Sequence, residues 1–198
     1  VLAERALVPF IDIAYQGFDK GIEEDSAAIR LLAESGIANF MVASSYSKSF
    51  SLYGERTGAL SVVCADADEA RRVQSQVKRL IRANYSSPPS HGAMLVSGVL
   101  NDPALKVMWE QELGEMRTRI HALRAGLVAR LDAHGAGRFG FINDQAGMFS
   151  YSGLSREQVD LLRDEFGIYA VGTGRICVAA LNDRNLDYVA DAISRVAG

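Results

Sequence analysis

Residues Ser45-Tyr46-Ser47-Lys48-Ser49-Phe50-Ser51-Leu52-Tyr53-Gly54-Glu55-Arg56 set one lysine among small hydroxyl side chains, with an arginine shortly after it. An ε-amine attacks a carbonyl carbon only when deprotonated, a state that neighbouring cations favour and burial promotes. Serine hydroxyls and the planar fork of an arginine are donors suited to a phosphate. The chemistry on offer is a Schiff base between Lys48 and an anionic carbonyl cofactor. A second candidate is Asp12, which interrupts the apolar run from Val8 to Tyr15, where an unpaired carboxylate is expensive. Asp12 and Tyr15 are three positions apart, so a regular strand would turn them to opposite faces. They serve one ligand only if the strand ends near Asp12 and the chain bends before Tyr15. Taken singly, each residue also has an ordinary reading. Lys48 fits a solvated surface lysine, Asp12 a turn cap, Tyr15 a half-buried core residue, and Arg56 a salt bridge with Glu55.

The elements that must position these residues follow from pattern. Val8–Tyr15 reads as a buried strand closed by Gly17, and Glu23–Ser35 as a helix with an acidic first turn, stopped by Gly36. Ile37–Ser44 and Ala59–Cys64 are the next strands. Asp66 caps a helix running to about Ala83, and Asn84–Pro89 is a turn because its two prolines push the residues before them into extended conformations. His91–Leu100 is helical. Asp102 then caps a helix of about thirty residues beginning at Pro103, with Leu105, Trp109, Leu113, Met116, Ile120, Leu123, Leu127 and Leu131 at steps of three and four. A glycine-rich break, Gly135–Gly140, follows. Phe139–Ile142 and Met148–Tyr151 read as short strands, and Ser155–Phe166 as a helix with Ser155 and Gln158 in reciprocal capping positions. Ile168–Val171 and Arg175–Ala180 form a strand pair around Gly172-Thr173-Gly174, and Asn182–Val196 is the closing helix. Strands alternate with helices up to about residue 100, which predicts part of a parallel three-layer α/β sheet followed by a smaller α+β body.

Composition excludes several classes. The 198 residues are 48% hydrophobic and 23% charged with a net charge of −3, which leaves no electrostatic footprint for nucleic acid or an anionic membrane. No apolar run approaches a membrane span. The three histidines and two cysteines lack metal-ligand spacing, and Cys64 and Cys177 read as buried thiols of a reducing, cytoplasmic setting. Val1 is not an initiator Met, and Val1–Gln16 does not have the layout of a signal peptide. Leu2–Ala6 reads like the end of a helix, as in a fragment or a processed chain.

Four motifs occur in order: Asp12-x-Ala14-Tyr15-Gln16-Gly17-Phe18; Ser45-Tyr46-Ser47-Lys48-x-Phe50-x-Leu52-Tyr53-x-Glu55-Arg56-x-Gly58; Arg82-x-Asn84-Tyr85-Ser86-x-Pro88-Pro89; and Gly174-Arg175. Together they resemble the class I aspartate/aromatic-amino-acid aminotransferases, pyridoxal-phosphate (PLP) enzymes of fold type I. The resemblance runs along the whole chain but covers only about the C-terminal half of a family member. Leu60–Cys64 and Gly147–Leu154 look more like the bacterial aromatic (tyrosine) branch than the strict aspartate branch. The resemblance implies that residues 1–101 are the C-terminal part of the PLP-binding large domain. It makes 102–134 a long interdomain helix and 135–198 a small C-terminal domain.

It also implies roles. Lys48 resembles the Schiff-base lysine that, once freed by substrate, moves the proton between Cα and the cofactor's C4′. Asp12 resembles the carboxylate that keeps the pyridine nitrogen protonated, and Tyr15 the phenol on the 3′-oxygen. Ser45 and Arg56 resemble phosphate ligands, with Ser47 assisting. Arg175 resembles the arginine on the substrate α-carboxylate, with Phe149 lining the pocket beside it. Arg82 resembles the arginine for a side-chain carboxylate, contributed across a homodimer to the neighbouring subunit. The implied reaction moves an amino group from an aromatic or acidic L-amino acid to 2-oxoglutarate by ping-pong kinetics. Aspartate aminotransferase proper is the alternative within the family. Ser45-x-x-Lys48 as a serine nucleophile with a lysine base is disfavoured because no Lys-Thr-Gly strand follows. A non-enzymatic fragment or dimerisation module is the remaining reading, since the family's ring-stacking aromatic, glycine-rich phosphate loop and asparagine belong to the other half.

Overall fold

The computed structural model describes every residue except Ala3, which falls in the segment read as a helix end. Around it, Arg5 N donates to Val1 O at 3.0 Å and Leu7 N to Leu2 O at 3.1 Å, bonds of the kind that close helix termini. Two compact units are present, Val1–Leu113 and Gly114–Gly198.

In the first unit, β1 (Phe10–Ile13), β2 (Phe40–Ser45) and β3 (Gly58–Val63) form a sheet in the order β1-β2-β3. β1 and β2 are parallel, with Ile13 opposite Ser44. β2 and β3 are antiparallel, with Ser45 opposite Gly58. The expected parallel order therefore holds for the first pair and fails for β3. A parallel return needs a long crossover, usually a helix, and the segment from Tyr46 to Thr57 contains only a 3-10 turn at Tyr53–Glu55. The chain comes straight back beside the strand it left. Gly58 permits this closeness, because a Cβ there would lie 2.7 Å from Ser44 O.

Helix α1 (Ala27–Glu34) is shorter than expected, its first turn being a 3-10 turn at Glu24–Ser26. It brings Leu32 into a core cluster with Phe40 and Val42, flanked by Ile11, Ile29 and Ile37. Burying each such side chain contributes about 1.5–3 kcal/mol. β1 is only partly covered, not buried as its sequence suggested. Helix α2 (Ala67–Tyr85) is capped as expected. Asp66 Oδ1 accepts from Glu69 N at 2.7 Å, and Glu69 Oε2 accepts from Ala65 N at 2.7 Å. Asn84 and Tyr85 complete its last turn instead of starting the loop, since the prolines constrain only the residues just before them. Helix α3 (His91–Asn101) and helix α4 (Pro103–Ala133) follow, and Asp102 Oδ1 caps α4 by accepting from Ala104 N and Leu105 N.

In the second unit, α4 buries Ile120, Leu123, Leu127 and Leu131; of the expected stripe, Leu105 and Met116 are exposed. β4 (Phe149–Tyr151) and β5 (Arg175–Cys177) pair antiparallel, with Tyr151 opposite Arg175. Helix α5 (Arg156–Phe166) has both halves of the Ser155/Gln158 capping box, and α6 (Leu186–Ala197) closes the chain. Phe139–Ile142 is not a strand. It lies in a 3-10 turn, Gly137–Asp144, that buries Phe139 and Ile142. The apolar residues mark burial, but interleaved Gly137 and Gly140 leave no alternating face to pair. The Ile168–Val171 strand reduces to one bridge, Val171 to Arg175, because Gly174 N already donates back to Val171 O at 2.8 Å. Past Cys177 the chain turns at Val178–Ala180. Cys64 and Cys177 are free and half-buried, not buried. Among the described residues, no helix is long and apolar enough to cross a membrane, and no cluster of His, Cys, Asp or Glu could hold a metal ion.

Candidate active site

The carboxyl ends of the two parallel strands converge on Lys48. β2 ends at Ser45, and the chain folds into a tight turn in which Ser47 N donates to Ser45 Oγ at 3.3 Å, Phe50 N to Tyr46 O at 3.2 Å and Ser51 N to Lys48 O at 3.1 Å. Ser47 is buried. β1 ends at Ile13 and the chain bends at Ala14, which meets the condition for Asp12 and Tyr15 to serve one ligand. Tyr15 indeed turns to the lysine: Lys48 Nζ lies 4.7 Å from the Tyr15 ring centroid and 5.9 Å from that of Tyr53. Both are within cation–π reach. Asp12 stands opposite Ala43, one strand over and two residues before Ser45. In α/β sheets, the crevice outside the carboxyl ends of the strands is where ligands bind.

The loop that follows Tyr15 is fixed by a residue the sequence reading passed over. Asp25 accepts four backbone hydrogen bonds, from Gly17 N (2.7 Å) and Asp19 N (3.1 Å) on one oxygen and Lys20 N (3.0 Å) and Gly21 N (3.4 Å) on the other. Burial pushes its carboxyl up, but the amides of Lys20, Asp19, Gly17 and Gly21 together hold it below its ordinary value. A carboxyl depressed by folding lends stability above its unfolded pKa and loses it as pH falls through the folded value. The denaturation midpoint of the wild type is therefore expected to decline as pH drops below about 4. In Asp25→Asn the midpoint is expected to be lower at neutral pH and flatter across that window, since an amide nitrogen cannot accept from these donors. Parallel pH profiles for the two proteins would contradict this role.

Arg56 adopts a left-handed backbone (φ 52, ψ 48), as does Ser51 (φ 54), so the 3-10 turn between them is bracketed by two residues in a conformation costing about 1–2 kcal/mol each. Continuation of the β2–β3 pairing, with Tyr46 N donating to Thr57 O at 3.1 Å, brings this segment back beside the lysine turn. Arg56 Nη1 donates to Tyr53 O at 2.9 Å. Its neighbour Glu55 is taken by His91, whose Nδ1 lies 3.0 Å from Glu55 Oε2. Arg56 thus has no carboxylate partner among the described residues. The same holds for Asp12, which has no cation, and for Arg82, exposed in the last turn of α2. Charges kept apart from counter-ions are available to an external anion or cation.

In the second unit, Arg175 lies on β5 directly after the Gly172–Gly174 turn. Its guanidinium carbon sits 4.9 Å from the Phe149 ring centroid. Gly174 has φ +83, and a Cβ there would meet Leu154 O at 2.8 Å. Its carbonyl accepts from both Ser152 N (2.8 Å) and Ser152 Oγ (2.7 Å). Beyond β5, Arg119 donates to Ala179 O and Leu181 O at 3.2 and 2.7 Å. Arg175 is held by its backbone on both sides while its side chain stays exposed, without a carboxylate partner among the described residues. The structure thus sets Tyr15 against Lys48, places Ser45 and Ser47 at the start of the turn that carries it, and puts Asp12 on the neighbouring strand and Arg56 just before β3 in the same unit; Arg175 and Phe149 meet in the other.

With a lysine turn, an aspartate on the neighbouring strand and arginines without carboxylate partners among the described residues in place, the comparison with known proteins is direct. Residues 1–193 match the family model for aminotransferase class I and II, and the chain belongs to that family. It is 63% identical over 197 residues to the aspartate aminotransferase of Pseudomonas aeruginosa and 54% identical to the aromatic-amino-acid aminotransferase of Escherichia coli. Each alignment covers 99% of this chain and 49% of the relative, so the chain spans about half the length of the curated relatives it matches. The fold superposes with a TM-score of 0.96 on the aromatic-amino-acid aminotransferase of Burkholderia pseudomallei, a crystal structure covalently bound to pyridoxal phosphate. That match is 64% identical and covers 98% of this chain and 49% of the other.

Proposed function

We propose that the protein is a PLP-dependent aminotransferase that moves the amino group of an aromatic or acidic L-amino acid to 2-oxoglutarate. The observation carrying this reading is the approach of Lys48 Nζ to Tyr15 at the carboxyl ends of β1 and β2, with Asp12 on β1 lacking a cation among the described residues. The donor set fits the cofactor. Ser45, Ser47 and Arg56 supply hydroxyl and guanidinium donors for a phosphate dianion, Asp12 a carboxylate for a ring nitrogen, and Tyr15 a phenol for a ring oxygen. The relative covalently bound to PLP supports the same assignment. When bound, PLP supplies an aldehyde that captures an amino group and a ring that delocalises the electron pair released at Cα.

This chain's residues do the rest. The Lys48 amine would hold the cofactor and, once freed, would serve as the base that carries the proton released at the substrate Cα. Asp12 would supply the carboxylate that pairs with the ring nitrogen. Arg175 receives the α-carboxylate in a bidentate fork, with the Phe149 ring against its guanidinium. Arg82 reaches the side-chain carboxylate of an acidic substrate in the neighbouring subunit of a homodimer. We place the reaction in the cytoplasm, in keeping with two free thiols.

The identities of 63% to an aspartate enzyme and 64% to an aromatic one support a pocket serving both substrate kinds. Steady-state rates with tyrosine or aspartate against 2-oxoglutarate are expected to give parallel double-reciprocal lines, the mark of ping-pong transfer. In Arg82→Ala, kcat/KM for aspartate is expected to fall about 100-fold, while that for tyrosine changes only a few-fold. An equal loss for both would refute the role given to Arg82, and converging lines would refute the mechanism.

A further inference from the structure

The lysine turn is fastened by one distant side chain. Trp109, the single tryptophan of the chain, lies in the first third of α4, and its Nε1–H donates to Ser49 O at 2.6 Å. Its ring stacks on Phe50, with centroids 4.5 Å apart and planes 20° apart, and Phe50 in turn meets Tyr46 edge-on at 5.4 Å. Tyr46, Ser49 and Phe50 bracket Lys48. A hydrogen bond of this kind contributes about 0.5–1.5 kcal/mol and an aromatic pair a similar amount, so the turn is held by a bond and a stack together, from a residue 60 positions away. Within the turn itself, the Phe50 N to Tyr46 O and Ser51 N to Lys48 O bonds close the backbone around the lysine.

We infer that Trp109 is a positioning residue for Lys48: its donation to Ser49 O and its stack on Phe50 fix the height and direction from which the lysine amine works. The inference rests on the proposed role of Lys48 as the covalent anchor and proton carrier. Proton transfer between Cα and C4′ requires the amine within hydrogen-bond reach of both atoms, and a displacement near 1 Å lowers rates steeply. Among the described residues no hydrogen bond or ring contact joins Trp109 to Ser45, Ser47 or Arg56, so its effect should fall more on the chemical step than on cofactor affinity.

Two variants separate the elements of the clamp. Trp109→Phe keeps a ring for Phe50 but removes the donor; Trp109→Leu removes both. In the intact native protein, amide hydrogen exchange is expected to quicken at Phe50 and Ser51 in Trp109→Phe, and further in Trp109→Leu, with the rest of α4 unchanged. In the PLP-loaded protein, the single-turnover rate with excess amino acid is expected to fall about 10-fold in Trp109→Phe and about 100-fold in Trp109→Leu. Unchanged exchange at Phe50 and Ser51 would overturn the clamp whatever the activity, as would unchanged single-turnover rates in variants that merely melt at lower temperature. A wild type that shows neither visible absorbance nor turnover would instead overturn the role given to Lys48, and with it this inference, even where the exchange results stand.

Discussion

Lys48→Ala is expected to lower the rate of amino-group transfer by about 10⁴-fold or more, because one substitution removes both the covalent anchor and the proton carrier. The loss should be chemical, not structural. Lys48 makes no ion pair among the described residues, and its amine lies over the rings of Tyr15 and Tyr53. The turn that carries it is closed by backbone bonds of Tyr46, Phe50 and Ser51 and by Trp109 on Ser49 O, none of which needs the amine. The variant should therefore melt close to the wild type and still bind PLP through Ser45, Ser47, Arg56 and Asp12. Lys48→Arg should be equally inactive, since a guanidinium keeps the charge but offers no nucleophilic amine. Single-turnover measurements with each variant check this. Retention of a hundredth or more of the wild-type rate would contradict it.

The second large effect is expected at Arg175. Arg175 is exposed in the free chain, and a bound substrate would exclude water from its fork; removing one partner of such a bidentate charge pair costs about 2–5 kcal/mol. Arg175→Leu should thus lower kcat/KM by about 10²–10³-fold. The amino acid and the 2-oxo acid both carry the carboxylate that Arg175 would receive, so KM should rise for both halves of the reaction. Arg175→Lys keeps the charge without the fork and should recover only part of the loss. Gly174 is the structural reason that the site tolerates no looser arrangement. With φ +83, its carbonyl held twice by Ser152 and Leu154 O in the way of any Cβ, it fixes where Arg175 begins. A KM that rises for only one of the two substrates would show that Arg175 serves a side chain and not the shared carboxylate.

Much of this site was legible in the chain itself, and what was not has identifiable causes. The strand leading into the lysine turn, the Asp66 cap and the Ser155/Gln158 box are all local, set by residues within a few positions of one another; the bend at Ala14 stood in the sequence only as a condition, and the strand read over Val8–Tyr15 spans Phe10–Ile13. The antiparallel return of β3 was also open to local reading, since nothing between Ser45 and Gly58 could make the helix a crossover needs. Phe139–Ile142 misled because apolar run length reports burial and not the conformation that achieves it. The residues that steady the site were out of reach for a different reason. Asp25 acts by gathering four backbone amides of a loop, and Trp109 by meeting a carbonyl 60 residues away. Neither pairing leaves a trace in spacing, and Trp109 reads instead as one more member of an amphipathic stripe. His91 taking Glu55, and so leaving Arg56 without its neighbouring acid, is invisible for the same reason.

The most direct test of the account is to load the intact native protein with PLP, reduce it with borohydride, digest it and find by mass which peptide has gained the cofactor. The expected result is one modified peptide carrying the reduced cofactor on Lys48, absent when Lys48→Ala is treated in the same way. Modification at another lysine, or none in a protein that binds PLP and turns over, would contradict the claim that the site is built around Lys48.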